Sequence, residues 1–222
     1  MSQEFERLPI SIKQCRVIEE IAKRRSESLA CESLNLTQSN VSRTLSMAEK
    51  SLSCKIFHRG WGGSNPTTEG EFVISHCNAI MREIRAIETQ LKELSGLDAL
   101  LSAYAEWRHL ITVSALVELG SASAAAERLG QSHPAVSRTL SSLENMVRQP
   151  LFYRRKQGLE PREEARLLAS LYRTAAPHAR SIVQSLNNMP DSLTGSLHVG
   201  MLPFSSQNIV PKAFGALSNE YP

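Results

Sequence analysis

Aromatic side chains make up only 5% of the 222 residues, with two Trp, four Tyr and six Phe. Leu, Ala, Ser, Glu and Arg dominate instead, a balance that predicts a mainly α chain. No apolar run reaches the roughly eighteen residues that a membrane-spanning helix needs. The first ten residues, MSQEFERLPI, hold neither the basic stretch nor the apolar stretch of a secretory signal, so a cytoplasmic protein with no membrane partner is expected. Cysteine is sparse too. Cys15, Cys31, Cys54 and Cys77 form no C-x-x-C pair and have no His at ligand spacing, so neither a metal nor another cofactor is expected. They read as reduced core thiols, with a redox switch as the minor alternative. Also missing are a Gly-rich phosphate loop and a nucleophile elbow, and the His residues are scattered, so no catalytic constellation is read and no enzyme is expected. The formal charge of +3 is too small to identify a polyanion binder.

What the chain does have is an internal repeat. VSRTLS runs from Val41 to Ser46 and recurs from Val136 to Ser141, 95 residues later. The same offset, without a gap, pairs Ser26, Ala30, Glu32 and Leu34 with Ser121, Ala125, Glu127 and Leu129. It also pairs Glu49, Phe57, Arg59 and Pro66 with Glu144, Phe152, Arg154 and Pro161. Chance does not give that register, so the chain carries two copies of one structural unit.

Each copy reads as the same string of elements. Ile12, Cys15, Ile18 and Ile21 recur at helical spacing and predict an opening helix; a short helix over 27–34, a turn at 35–37 and a third helix from Gln38 to about Ser51 follow. In the second copy the corresponding helices are expected near 106–119, 122–129 and 134–146. Apolar strand-like runs at Ile56-Phe57-His58 and Leu151-Phe152-Tyr153, each followed by a turn-rich stretch, predict a hairpin wing. Two helices joined by a short turn, then a wing, make a winged helix-turn-helix unit.

The second copy, SASAAAERLGQSHPAVSRTLSSLENMVRQPLFYRR from Ser121 to Arg155, closely resembles the DNA-binding domain of LysR-type transcription regulators. The first copy resembles it through LNLTQSNVSRTLS, Lys55-Ile56-Phe57-His58-Arg59 and Pro66-Thr67-Thr68-Glu69-Gly70. The resemblance implies a sequence-specific regulator that reads double-stranded operator DNA with the third helix of each unit, with RNA polymerase as a candidate further partner. The alternative is a dimerisation or sequestering module that acts on another regulator, one or both helix-turn-helix units having lost DNA binding.

Past each wing lies a stripe with spacings of four and three. Val73, Cys77, Ile80, Ile84, Ile87, Leu91 and Leu94 form the first, and Leu168, Tyr172, Ala175, Ala179, Ile182 and Leu186 the second. Such seams call for a partner helix, either from the same chain as an intramolecular pseudo-dimer or from a second chain as a homo-oligomer. The resemblance assigns them to the family's linker helices, which pair antiparallel. Pro177 interrupts the second seam and predicts a bend there. The expected organisation is therefore a first winged unit at 1–67, its linker helix at 68–95, a connector at 96–105, a second winged unit at 106–161 and its linker helix at 162–188. Residues 194–222 resemble the first strand and helix of the family's α/β effector-binding domain. They are too few for its core, so no effector site is assigned.

The start of the third helix is the end expected in the major groove, where donors and acceptors are needed. The first copy offers Thr37, Gln38, Ser39, Asn40, Ser42 and Arg43; the second offers Ser132, His133, Pro134, Ser137 and Arg138. Gln and Asn suit adenine, and Arg suits guanine or phosphate. Ser42 and Ser137 are either DNA contacts or local helix residues. Arg154, Arg155 and Lys156 make the second wing a phosphate-binding candidate, whereas the first has Lys55, His58 and Arg59 around Trp61.

Overall fold

A computed structural model of the chain describes residues 8–60 and 63–188. The expected first wing tip at Trp61 and the expected effector-domain start at 194–222 lie outside the described residues. What is described is mainly helical, as the composition predicts, and the helices fall where the apolar spacing puts them.

The first unit comprises α1 (Ile12–Arg24), α2 (Glu27–Leu34), α3 (Gln38–Leu52), β1 (Phe57–Gly60) and β2 (Gly63–Pro66). Its long helix is α4 (Thr68–Ser95), and the connector holds a single helical turn, α5 (Leu101–Tyr104). The second unit repeats the order with α6 (Trp107–Leu119), α7 (Ala122–Arg128), α8 (His133–Val147), β3 (Phe152–Arg155) and β4 (Gly158–Pro161), followed by α9 (Glu163–Asn187). Each wing is a two-stranded antiparallel hairpin, with Phe57 opposite Pro66 and Phe152 opposite Pro161.

The two copies fold alike because equivalent residues make equivalent bonds. Ser26 and Ser121 cap α2 and α7 by accepting from the backbone N–H three residues on, as cap hydroxyls do. In the first copy the Arg25 carbonyl accepts from Ser64 N at 2.9 Å; in the second the Gly120 carbonyl accepts from Leu159 N at 2.7 Å. The wing thereby lies against the corner between the first two helices. Gly63 and Gly158 make this approach possible: both have positive φ, and a Cβ on either would sit 2.5 Å from that carbonyl oxygen.

α4 is buried on two faces. Towards α1 it presents Cys77, fully buried beside Cys15, and Arg85, which pairs with Glu19. Towards α9 it presents His76, whose Nε2 lies 3.3 Å from Ser185 Oγ. A residue early in α4 thus meets one late in α9, so the two long helices run antiparallel within the chain. Two equivalent helices paired antiparallel relate the two units by an approximate two-fold axis. α9 packs in turn on α6, as α4 does on α1.

The first stripe needs one correction and one division. Leu94 is 52% exposed, so the buried seam of α4 ends at Leu91. Val73, Ile80, Ile84 and Ile87 are buried, but Cys77 turns towards α1, so the stripe serves both its own unit and the long-helix pair. In α9, Leu168, Ala175, Ala179 and Ile182 are buried, while Tyr172 and Leu186 are half-buried. Pro177 lies inside α9 on its exposed side, and the helix continues through it to Asn187.

One bond joins the two units directly and another holds the connector to the second unit. Trp107 Nε1 donates to the Ile10 carbonyl at 2.7 Å in a buried bond, and Leu100 N donates to the Met146 carbonyl at 3.1 Å. Among the described residues no helix is long and apolar enough to cross a membrane.

Candidate nucleic-acid interface

The third helices begin in the same way. The Thr37 hydroxyl accepts from Asn40 N at 3.3 Å at the start of α3, and the Ser132 hydroxyl accepts from Ala135 N at 3.4 Å at the start of α8. Thr37 and Ser132 are therefore cap residues as well as candidate contacts. Each cap fixes the direction of its helix and leaves the next residues at an exposed end. Gln38, Ser39, His133 and Pro134 are all exposed, and Ser39 Oγ lies 3.1 Å from Thr37 Oγ1. Pro134 fits the first turn of α8, where no backbone donor is needed.

One turn further along stand Ser42-Arg43 and Ser137-Arg138. Arg43 and Arg138 are exposed, and among the described residues neither is held in an ion pair. Ser42 is half-buried and Ser137 exposed. The opposite faces hold the helices to their units through buried Val41, Leu45 and Ala48 in α3 and Val136, Leu143 and Val147 in α8.

Asn40 is half-buried, and its surroundings fix its orientation. Lys13 Nζ lies 2.9 Å from Asn40 Oδ1, and Thr44 Oγ1 donates to the same oxygen at 3.3 Å. An ammonium group has only donors, so the atom facing Lys13 must be the amide oxygen. The donors of the Asn40 side chain are therefore on the amide nitrogen, away from Lys13. Sequence reasoning missed Lys13: it lies 27 residues away in a different helix, and no local spacing connects the two.

The wings are anchored by two equivalent glutamates that sequence reasoning had paired without assigning a role. Glu49 accepts from Ile56 N at 3.1 Å and from Lys55 Nζ at 2.7 Å. Glu144 accepts from Leu151 N at 2.9 Å. Both carboxylates fasten the C-terminal half of the third helix to the first wing strand. Lys55 is thus already paired. Arg59 sits in β1 opposite Ser64, and its side chain is outside the described parts of the structure.

In the second wing, Arg154 and Lys156 are exposed and, among the described residues, free of ion pairs. Arg155 differs: its Nε donates to Glu160 at 2.7 Å, which holds its charge more firmly than usual. Arg155 and Arg162 also lie over the Tyr153 ring, 5.2 and 4.5 Å from its centre. The exposed wing therefore carries a cluster of cations gathered around one aromatic ring.

Comparison with known proteins identifies the unit. Residues 12–71 and 107–166 each match the family described as "Bacterial regulatory helix-turn-helix protein, lysR family". The chain is 29% identical over 212 residues to the HTH-type transcriptional regulator GalR of Pseudomonas putida, an alignment covering 96% of this chain and 53% of that protein. It is 30% identical over 95 residues to the nitrogen assimilation regulatory protein nac of Klebsiella aerogenes, covering 43% of this chain and 31% of the relative. With the HTH-type transcriptional regulator GbpR of Rhizobium radiobacter the identity is 33% over 116 residues, covering 51% and 38%. The chain spans about half the length of GalR and about a third of the other two. The alignment with GalR is long enough to take in both repeats; the other two are about one repeat unit long. No solved structure matches the chain.

Proposed function

Because the chain belongs to the lysR family of bacterial regulatory helix-turn-helix proteins, we propose that it is a transcription regulator that binds double-stranded operator DNA through both third helices, α3 and α8. The observation that carries this reading is the exposed arginine of a Ser-Arg pair at the same place on each third helix, Arg43 after Ser42 and Arg138 after Ser137. An arginine one turn from the capped end can reach a base edge or a phosphate when that end enters the major groove. The similarity to GalR, nac and GbpR, all regulators, supports it.

Within this reading the functional units are the winged regions 1–67 and 106–161. The linker helices 68–95 and 162–188, joined through 96–105, pair within one chain. One polypeptide thus does the work of two ordinary protomers and presents its recognition helices to successive major grooves roughly 34 Å apart. The protein works in the cytoplasm, as a binder and not a catalyst.

A gel-shift titration on genomic fragments at several salt concentrations tests the proposal. Arg43→Ala and Arg138→Ala should each weaken binding by about 1–3 kcal/mol if the side chain reads a base. Undiminished affinity in both single variants, on a fragment the parent binds tightly, overturns it. No shift on any fragment leaves the sequestering module as the better account.

A further inference from the structure

We propose that the operator is not a palindrome: its two half-sites carry different sequences, and the chain binds them in one orientation only. This rests on the DNA-reading function above and names the class of duplex that site takes.

A homodimer has no choice in the matter. Its two-fold axis carries each reading residue onto an identical copy, so the half-sites it binds best are inverted repeats. Here the approximate two-fold relates residues that are only partly the same. The frame is shared: a hydroxyl cap at Thr37 and Ser132, then Ser42-Arg43 and Ser137-Arg138 one turn on. Between cap and arginine the side chains diverge. Gln38, Ser39 and Asn40 stand in one helix where His133, Pro134 and Ala135 stand in the other.

The difference is chemical. Gln38 carries a donor and an acceptor and can bridge N6 and N7 of adenine. Asn40, with its oxygen taken by Lys13 and Thr44, offers donors alone and suits an acceptor such as N7 or the O4 of thymine. The second helix has no amide in this stretch. Pro134 and Ala135 present carbon, which suits a thymine methyl group, and His133 is its one polar side chain between the cap and Ser137. Lys13 has no counterpart in this role either: its equivalent, Arg108, pairs with Glu106 at 3.0 Å. The half-sites should therefore share the position faced by Arg43 or Arg138 and differ at the positions faced by residues 38–40 and 133–135.

Selection of binding sites from a pool of randomised duplexes by the full chain tests this. The expected result is a motif with two unlike halves. Gln38→Ala should relax one half only, lowering affinity for the parent motif by about 5- to 150-fold, while the other half stays as selective as before. The triple change His133→Gln, Pro134→Ser and Ala135→Asn should bring the second half towards an inverted repeat of the first, save at the position faced by residue 135, where no equivalent of Lys13 orients the amide. These residues are exposed or half-buried, and circular dichroism of both variants verifies folding. A palindrome selected by the parent overturns the proposal, as does a Gln38→Ala variant that relaxes both halves equally. Failure to enrich any motif overturns the DNA-reading function itself, so the two failures are distinguishable.

Discussion

His76 and Ser185 lie 109 residues apart in sequence and meet side chain to side chain at 3.3 Å. The contact fixes the antiparallel sense of α4 and α9, and it breaks the symmetry between the repeats. The equivalent of His76 in α9 is Leu171, a fully buried apolar residue. A second imidazole, His178, lies 6.0 Å from the His76 ring. The pairing face of the long helices therefore carries two imidazoles and a hydroxyl among its apolar residues.

His76 makes stability depend on pH. Burial lowers the His76 pKa below its usual value near 6.5, and the charge of His178 lowers it further. Burial likewise lowers that of His109, aided by the charge of Arg108 and opposed by Glu106. A depressed imidazole means that the unfolded chain binds more protons at acid pH. Stability is thus intact above about 6.5 and is lost as pH falls through the lower folded values. His109→Gln should flatten this loss without breaking the helix start, because Gln14 does the same work in α1, accepting from Ser11 N at 2.7 Å as His109 Nδ1 accepts from Glu106 N at 2.9 Å. Urea denaturation of parent, His109→Gln and His76→Leu at pH 7.5 and pH 5.5 provides the comparison. Identical acid losses in all three would remove the histidines as the cause.

Seam pairing within one chain predicts a 24.6 kDa monomer at micromolar concentration without DNA. Sedimentation equilibrium measures it. Ile84→Asp places a charge at a fully buried position and should destabilise that monomer by several kcal/mol, seen as a fall in the denaturation midpoint. A stable dimer that the same change converts to folded monomers would put the seams between chains.

Glu49 and Glu144 should matter for stability. Glu49→Ala removes the acceptor of the buried Ile56 N–H and should cost about 1–3 kcal/mol, the usual penalty for an orphaned buried donor. Glu49→Gln keeps an acceptor oxygen and should cost less, and Glu144→Ala, whose bond to Leu151 N is only part-buried, should destabilise in the same direction but by less than Glu49→Ala. Denaturant midpoints of the three variants are the measurement, and equal losses for Ala and Gln would argue against the hydrogen bond.

Much of this was legible in the chain because the repeat supplies an internal control. The long helices are marked by an apolar period, a local signal, and the 95-residue offset lets each copy confirm the other. The wing followed from short apolar runs and turn residues. What lay hidden depends on contacts between distant segments. The Lys13–Asn40 bond spans 27 residues and two helices, so no spacing rule reaches it. Cys77 sits on the same four-three stripe as Ile80 and Ile84, yet packs on Cys15 of α1. A helix clamped between two neighbours has one broad apolar face, and periodicity cannot divide it between them. Leu94 keeps the period after the partner surface has ended, which is why it read as seam and lies exposed.

The second wing should carry the larger electrostatic share of DNA binding, but not through all three of its cations equally. Each cation that neutralises a phosphate adds about 0.9 to the slope of log affinity against log salt. Arg154 and Lys156 are exposed without ion pairs among the described residues, whereas Arg155 already neutralises Glu160 at 2.7 Å. To reach a phosphate Arg155 must leave that carboxylate or share itself with it, and an exposed pair of this kind is weak, so some contribution survives. Changing Arg154 and Lys156 together to Ala should therefore flatten the slope by nearly ~2, and adding Arg155→Ala should flatten it by less than ~1 more. Glu160→Gln frees Arg155 and should steepen the parent's slope. Affinities measured across a salt series for the parent and these variants decide the matter. A double variant with the parent's slope would place the wing away from the phosphates, and a Glu160→Gln slope equal to the parent's would mean that Arg155 takes no part.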